Sequence, residues 1–203
     1  MSGELLVTTF VTLFVIIDPV ALAPLFVALT QGMATAERRR IALRSVVIAY
    51  VLLAIFAVAG EALLKVIGIG MPAFRISGGL LLFLMAVDML FERRNERREK
   101  QTANTRTDPS VFPLATPLIA GPGALATMIL LSSRHSGDVP ALVTIHAVLL
   151  GLTYLMFLSG GLIERALGHT GVVVVTRLLG ILLAALAIQF VLDGLRDAGV
   201  VGG

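Results

Sequence analysis

The chain has 203 residues, 57% of them hydrophobic and 14% charged, with a net charge of +3 and a mean hydropathy of +0.96. A soluble domain carries about a quarter charged residues, so this composition suits lipid as solvent and excludes a water-soluble enzyme or binding domain. The basic residues cluster between apolar runs and do not line one face, which argues against a nucleic-acid partner.

Six apolar runs follow one another. The first is Leu5 to Thr30, interrupted by one charge, Asp18. Met1-Ser2-Gly3-Glu4 before it has no basic n-region, so the run is expected to be a retained span and not a signal peptide. The second runs from about Ile41 to Leu64 and the third from about Pro72 to Leu90. A polar segment, Phe91 to Ser110, separates these from Val111 to Ser132, Val139 to Ile163 and about Val172 to Leu195. Each run spans a hydrocarbon core about 30 Å thick at about 1.5 Å per residue, and each is too long and too uniformly apolar for a barrel strand. The expected fold is an all-α integral membrane protein of six transmembrane helices in a single domain.

Orientation follows from Lys and Arg. The loops after the first, third and fifth spans hold twelve: Arg38, Arg39, Arg40, Arg44, Arg93, Arg94, Arg97, Arg98, Lys100, Arg106, Arg165 and Arg177. The other side holds four: Lys65, Arg75, Arg134 and Arg196. The positive-inside rule places the twelve in the cytoplasm and both termini outside. The 91–110 segment is then a cytoplasmic linker, with i,i+4 charge pairs that favour partial helicity.

The halves on either side of the linker, 5–90 and 111–195, resemble each other. A shift of 103 residues lays Asp18-Pro19-Val20-Ala21-Leu22-Ala23 on Gly121-Pro122-Gly123-Ala124-Leu125-Ala126, and Glu61 on Glu164. With one residue of slippage, Arg75 and Gly78 fall on Arg177 and Gly180. Each half has three spans, an odd number, so the halves insert with opposite orientation, the inverted-repeat plan of many transporters.

Asp18 carries the most information. An ionised carboxylate at the centre of a span costs about 3 kcal/mol on insertion scales. It must be solvated, paired or protonated, which makes it a candidate proton-binding group. Pro19 removes an N–H and disfavours α geometry at Asp18, so the helix is expected to open there, with Pro24 adding a kink. The fourth span repeats the disruption at Gly121-Pro122-Gly123, with further kinks at Pro113 and Pro117. Breaks at matching places in two halves point to a midplane substrate or ion site, here Asp18, Pro19, Pro24, Gly121, Pro122 and Gly123. Glu61, His146 and Gln189 are secondary candidates. Glu61 stands four before Lys65, the order of a helical ion pair. His146 suits either a proton relay or a packed, hydrogen-bonded core residue. There is no Cys, no ligand-like spacing among His135, His146 and His169, and no H-E-x-x-H, G-x-S-x-G or P-loop, so neither a metal, a cofactor nor an enzyme activity is expected.

The stretches Phe14-Val15-Ile16-Ile17-Asp18-Pro19-Val20-Ala21-Leu22-Ala23-Pro24, Arg75-Ile76-Ser77-Gly78-Gly79 and Thr116-Pro117-Leu118-Ile119-Ala120-Gly121-Pro122-Gly123-Ala124 resemble the MarC family of six-helix membrane proteins, and the resemblance covers nearly the whole chain. It implies an inner-membrane location, a kinship with the lysine-exporter superfamily, and transport of a small neutral amino acid such as glycine or alanine, with protons as coupling ion and export as one direction. Two alternatives stand beside it. One is a protein that handles lipids or lipid-linked carriers, its basic loops drawing anionic headgroups. The other is a regulatory membrane partner without transport activity.

Overall fold

The computed structural model describes residues 3–91, 109–134 and 138–200. Most of the linker and its helical pairs therefore lie outside the described residues. The described chain is helical: α1 (Gly3–Ile17), α2 (Pro19–Leu29), α3 (Thr35–Ile67), α4 (Met71–Leu90), α5 (Ser110–Ile119), α6 (Pro122–Arg134), α7 (Val139–Leu158) and α8 (Gly160–Asp197). Among the described residues five spans are long and apolar enough to cross a membrane, and α5 with α6 makes a sixth if that bent pair is counted as one. Together with the composition, this makes the protein an all-α, multi-pass integral membrane protein.

The burial pattern is that of a protein in lipid. On α3 the outward face carries Leu43, Val47, Val51, Ile55 and Val58, while Ala42, Ser45, Ala49, Ala57 and Gly60 point inward. A surface helix in water shows the reverse, with polar residues outside. Small residues inside let backbones approach.

Several boundaries differ from the hydropathy reading. The second span is longer, because α3 continues from Ile41 back through Arg38, Arg39 and Arg40 to Thr35. The fifth ends at Leu158; helix α8 begins at Gly160, with a break at Gly168 (φ 61°, ψ 175°), and its membrane-length stretch is Arg165–Asp197. Glycine tolerates that left-handed φ without a Cβ clash.

The packing has an internal order. α3 lies against α5 and α6, and α7 against α1 and α2; α2 meets α8, and α4 meets α6. α3 crosses α7, and α4 runs along α8. Exchanging α1–α4 for α5–α8 in order maps these pairings onto one another, whereas the contacts of α1 with α6 and α8 and of α7 with α6 and α8 have no equal counterpart. The α4–α8 seam is antiparallel: Gly79 sits beside Ala187 and Val191, Gly180 beside Ala86 and Met89, and Gly194 beside Pro72 and Ile76. At Gly79 an added Cβ would stand 2.7 Å from the Ala187 carbonyl oxygen. Arg75 at the start of α4 pairs with Asp197 at the end of α8. The two broken spans are the interior elements: 72% of the first span's apolar window is buried, against 28–39% for α3, α4, α7 and α8, and most residues of α5 and α6 are buried as well.

Candidate functional site

Asp18 joins α1 to α2 with a left-handed backbone, φ 54° and ψ 64°, the one non-glycine positive φ among the described residues. Pro19 explains why the chain leaves α geometry here, because its ring crowds the preceding residue. Aspartate tolerates the left-handed region better than most side chains. The hydrogen-bond ladder nonetheless passes through: Asp18 N–H donates to the Phe14 carbonyl at 2.9 Å, and Leu22 N–H donates to the Asp18 carbonyl at 3.1 Å. The Asp18 carboxylate also accepts from Ala21 N–H at 3.3 Å, so it caps α2 at the positive end of the helix dipole. Pro19 occupies the first helical position, where its missing N–H is no loss. Asp18 is wholly buried.

The second break is built differently. α6 begins on Pro122, as α2 begins on Pro19, at the same 103-residue offset. α5 and α6 are bent by 55° at Ala120-Gly121, whereas Leu6–Leu29 reads as one span across Asp18. α5 is a wide, irregular helical segment in which Phe112 (φ −129°, ψ 125°) and Thr116 (φ −134°, ψ 126°) are extended. Each precedes a proline, Pro113 or Pro117, which disfavours α geometry there. The kinks expected at these two prolines are thus present, each as an extended residue in the helical path. Gly121 and Gly123 are buried, while Pro122 and Thr116 are exposed. A Cβ at Gly121 would stand 2.6 Å from the Pro117 carbonyl oxygen. One at Gly123 would collide with Met85 of α4, so that glycine seats α6 on α4. α1 packs against α6, which brings half-helices from the two breaks into contact.

Pro24 lies inside α2, which continues through it to Leu29; it ends no helix. Glu61 forms the expected ion pair with Lys65 at 2.9 Å, at a largely solvent-accessible position. Its neighbour Gly60 is the residue that turns toward Ile129 of α6. Gln189 is exposed and donates to Asp193 at 2.8 Å.

His146 is wholly buried on α7 and stacks on Tyr50 of α3, ring centroids 5.3 Å apart at 24°. Neither of its ring nitrogens has a hydrogen-bond partner. The residue is therefore packed in the core, but without the hydrogen bond expected of a packed histidine. Thr127, one turn into α6, is a buried polar group that sequence reasoning did not single out; its hydroxyl also has no hydrogen-bond partner. A threonine in an apolar run gives no signal of this kind until the packing is known. A groove of about 620 Å³, lined by apolar residues including Leu6, Phe10, Ile145 and Val148, opens between α1 and α7 near the start of both helices. Among the described residues no group of His, Cys, Asp or Glu could hold a metal ion.

A family model described as "MarC family integral membrane protein" matches residues 3–198. The chain is 34% identical to a UPF0056 membrane protein of Methanocaldococcus jannaschii, over 98% of this chain and 99% of that one. It is likewise 34% identical to the UPF0056 membrane protein YvbG of Bacillus subtilis, covering 97% and 96%. Against the UPF0056 inner membrane protein YhgN of Escherichia coli K12 the identity is again 34%, covering 94% and 96%. No solved structure matches the chain.

Proposed function

The chain belongs to the MarC family of integral membrane proteins, and we propose that it is a secondary transporter of a small neutral amino acid such as glycine or alanine, with Asp18 carrying the coupling proton. The observation that carries this is a wholly buried aspartate at a left-handed break between two half-helices. A carboxylate at such a depth is expensive, and intramembrane acids mark ion pathways. The exposed Pro122 and Thr116 beside the second break, and the interchange of packing partners between the halves, fit an inverted repeat with its site between the halves. The name of the Escherichia coli relative and the arrangement of basic residues support an inner-membrane location with both termini outside.

Purified protein in liposomes is expected to accumulate glycine or alanine under an imposed pH gradient, and Asp18→Asn to lose that drive while still exchanging labelled for unlabelled amino acid. Accumulation by Asp18→Asn equal to wild type refutes the coupling role; no flux in wild type refutes the cargo. The α1–α7 groove favours a second reading, lipid handling. Native mass spectrometry showing a retained lipid and no bound amino acid would select it.

A further inference from the structure

His146 stands at the crossing of α3 and α7, among Leu142, Leu149 and Leu150, with Tyr50 against its ring. A neutral imidazole has one N–H donor and one bare nitrogen acceptor. Here both lie buried and unsatisfied, although a leucine would fill such a place at no polar cost. Buried polar groups find partners in folded proteins, and an exception calls for an explanation such as a ligand or water.

The depth of the site can be read from the packing. Phe10 shares a groove with Ile145 and Val148, and Phe26 stacks on Phe157 at 4.6 Å, so α1 and α2 run parallel to α7. Asp18 lies midway between Phe10 and Phe26 and is therefore level with about residue 151 of α7. At about 1.5 Å per residue, His146 is within about 8 Å of Asp18 in depth. The titratable groups from neighbouring elements at this level are Tyr50 on α3 and Asp18 between α1 and α2; α6 has none before Arg134.

We propose that the α3–α7 crossing holds a second polar site, centred on His146, that takes a small ligand able both to donate and to accept a hydrogen bond. Two sources have that chemistry, water and the polar groups of an amino acid. Assignment to the amino acid rests on the transport reading, whereas the existence of the site does not.

The test is deuterium exchange at the imidazole C2–H, read by mass spectrometry on the full chain in lipid nanodiscs. His169, exposed on α8, is the internal reference. The expected result is measurable exchange at His146, no more than about 100-fold slower than at His169. Glycine slowing His146 severalfold while leaving His169 unchanged identifies the amino acid as ligand; no change with glycine identifies water. No exchange at His146 when His169 has gone to completion overturns the site. As a second arm, His146→Leu is expected to raise the unfolding temperature by about 2–6 °C, because unsatisfied groups are removed, and to cut glycine flux at least tenfold. His146→Gln, which keeps a donor and an acceptor, is expected to retain a substantial share of the flux. Wild-type flux in His146→Leu refutes the amino acid as ligand and leaves the exchange result to decide the site. Absence of flux in wild type refutes the transport reading alone and leaves the exchange result to decide the site.

Discussion

Replacing Asp18 separates its structural work from its chemistry. Three contributions meet there: a cap on Ala21 N–H, a left-handed backbone and a buried carboxylate. Asn keeps the cap and tolerates the backbone, while removing the charge. Gly weakens a cap by only a few tenths of a kcal/mol and removes the left-handed Cβ penalty of about 1–2 kcal/mol. Ala loses about 1 kcal/mol of capping and keeps the full Cβ penalty. Asp18→Ala is therefore expected to be about 1–3 kcal/mol less stable than Asp18→Asn or Asp18→Gly, a melting temperature about 2–10 °C lower for a chain of this size. With no Trp and two Tyr, far-UV circular dichroism in one detergent is the suitable assay. All three variants should lose proton-driven accumulation. Ala melting together with Asn, or Gly melting below Ala, would refute the reading of Asp18 as a left-handed cap.

Other expectations follow from the packing. Gly79→Val drives a side chain into the Ala187 carbonyl and Val191, and should cost about 1–3 kcal/mol by overpacking, read by thermal unfolding. Ser132→Ala removes the hydrogen bond that its hydroxyl donates to the Ala57 carbonyl, tying α6 to α3; a loss of about 0.6 kcal/mol is expected from the same assay. Asp197→Asn removes the charge opposite Arg75, whose side chain is only 12% exposed while that of Asp197 is 45% exposed, and should cost about 1–3 kcal/mol. The chain has no cysteine, so Gly199→Cys gives a single reporter: a membrane-impermeant maleimide should label it from outside intact cells, and labelling only after lysis would reverse the assigned orientation.

The spans were legible because lipid demands long apolar runs, and the Asp18 break because a charge and a proline stand together in one of them. The extended residues of α5 were also within reach: Phe112 and Thr116 are pre-proline positions, and the rule that placed a break at Asp18 applies equally to them. The outcome differs because aspartate enters the left-handed region and can cap from it, while Phe112 and Thr116 take the extended alternative. The ends of α3 and α8 were not legible from hydropathy, which stops where charge begins although helical hydrogen bonding continues through Arg38–Arg40. His146 could be singled out as a residue but not placed, because its contact with Tyr50 depends on the crossing of two helices 96 positions apart in the sequence.

The distribution of small residues has a consequence for how the molecule responds to change. In lipid, an apolar side chain on the outer face exchanges one hydrocarbon neighbour for another, so Val47, Ile55 and Ile181, all exposed on that belt, hold little cohesion. Trimming any of these to alanine should leave the fold nearly as stable as before, because no water is displaced when they pack. Cohesion lies instead where side chains are missing, at Gly60, Gly79, Gly123, Gly180 and Gly194, where one helix rests on the backbone or side chains of another. Tolerance to mutation in this protein should therefore run opposite to that of a soluble domain: enlarging a glycine is the damaging change, and shrinking an aliphatic side chain on the outside is the silent one.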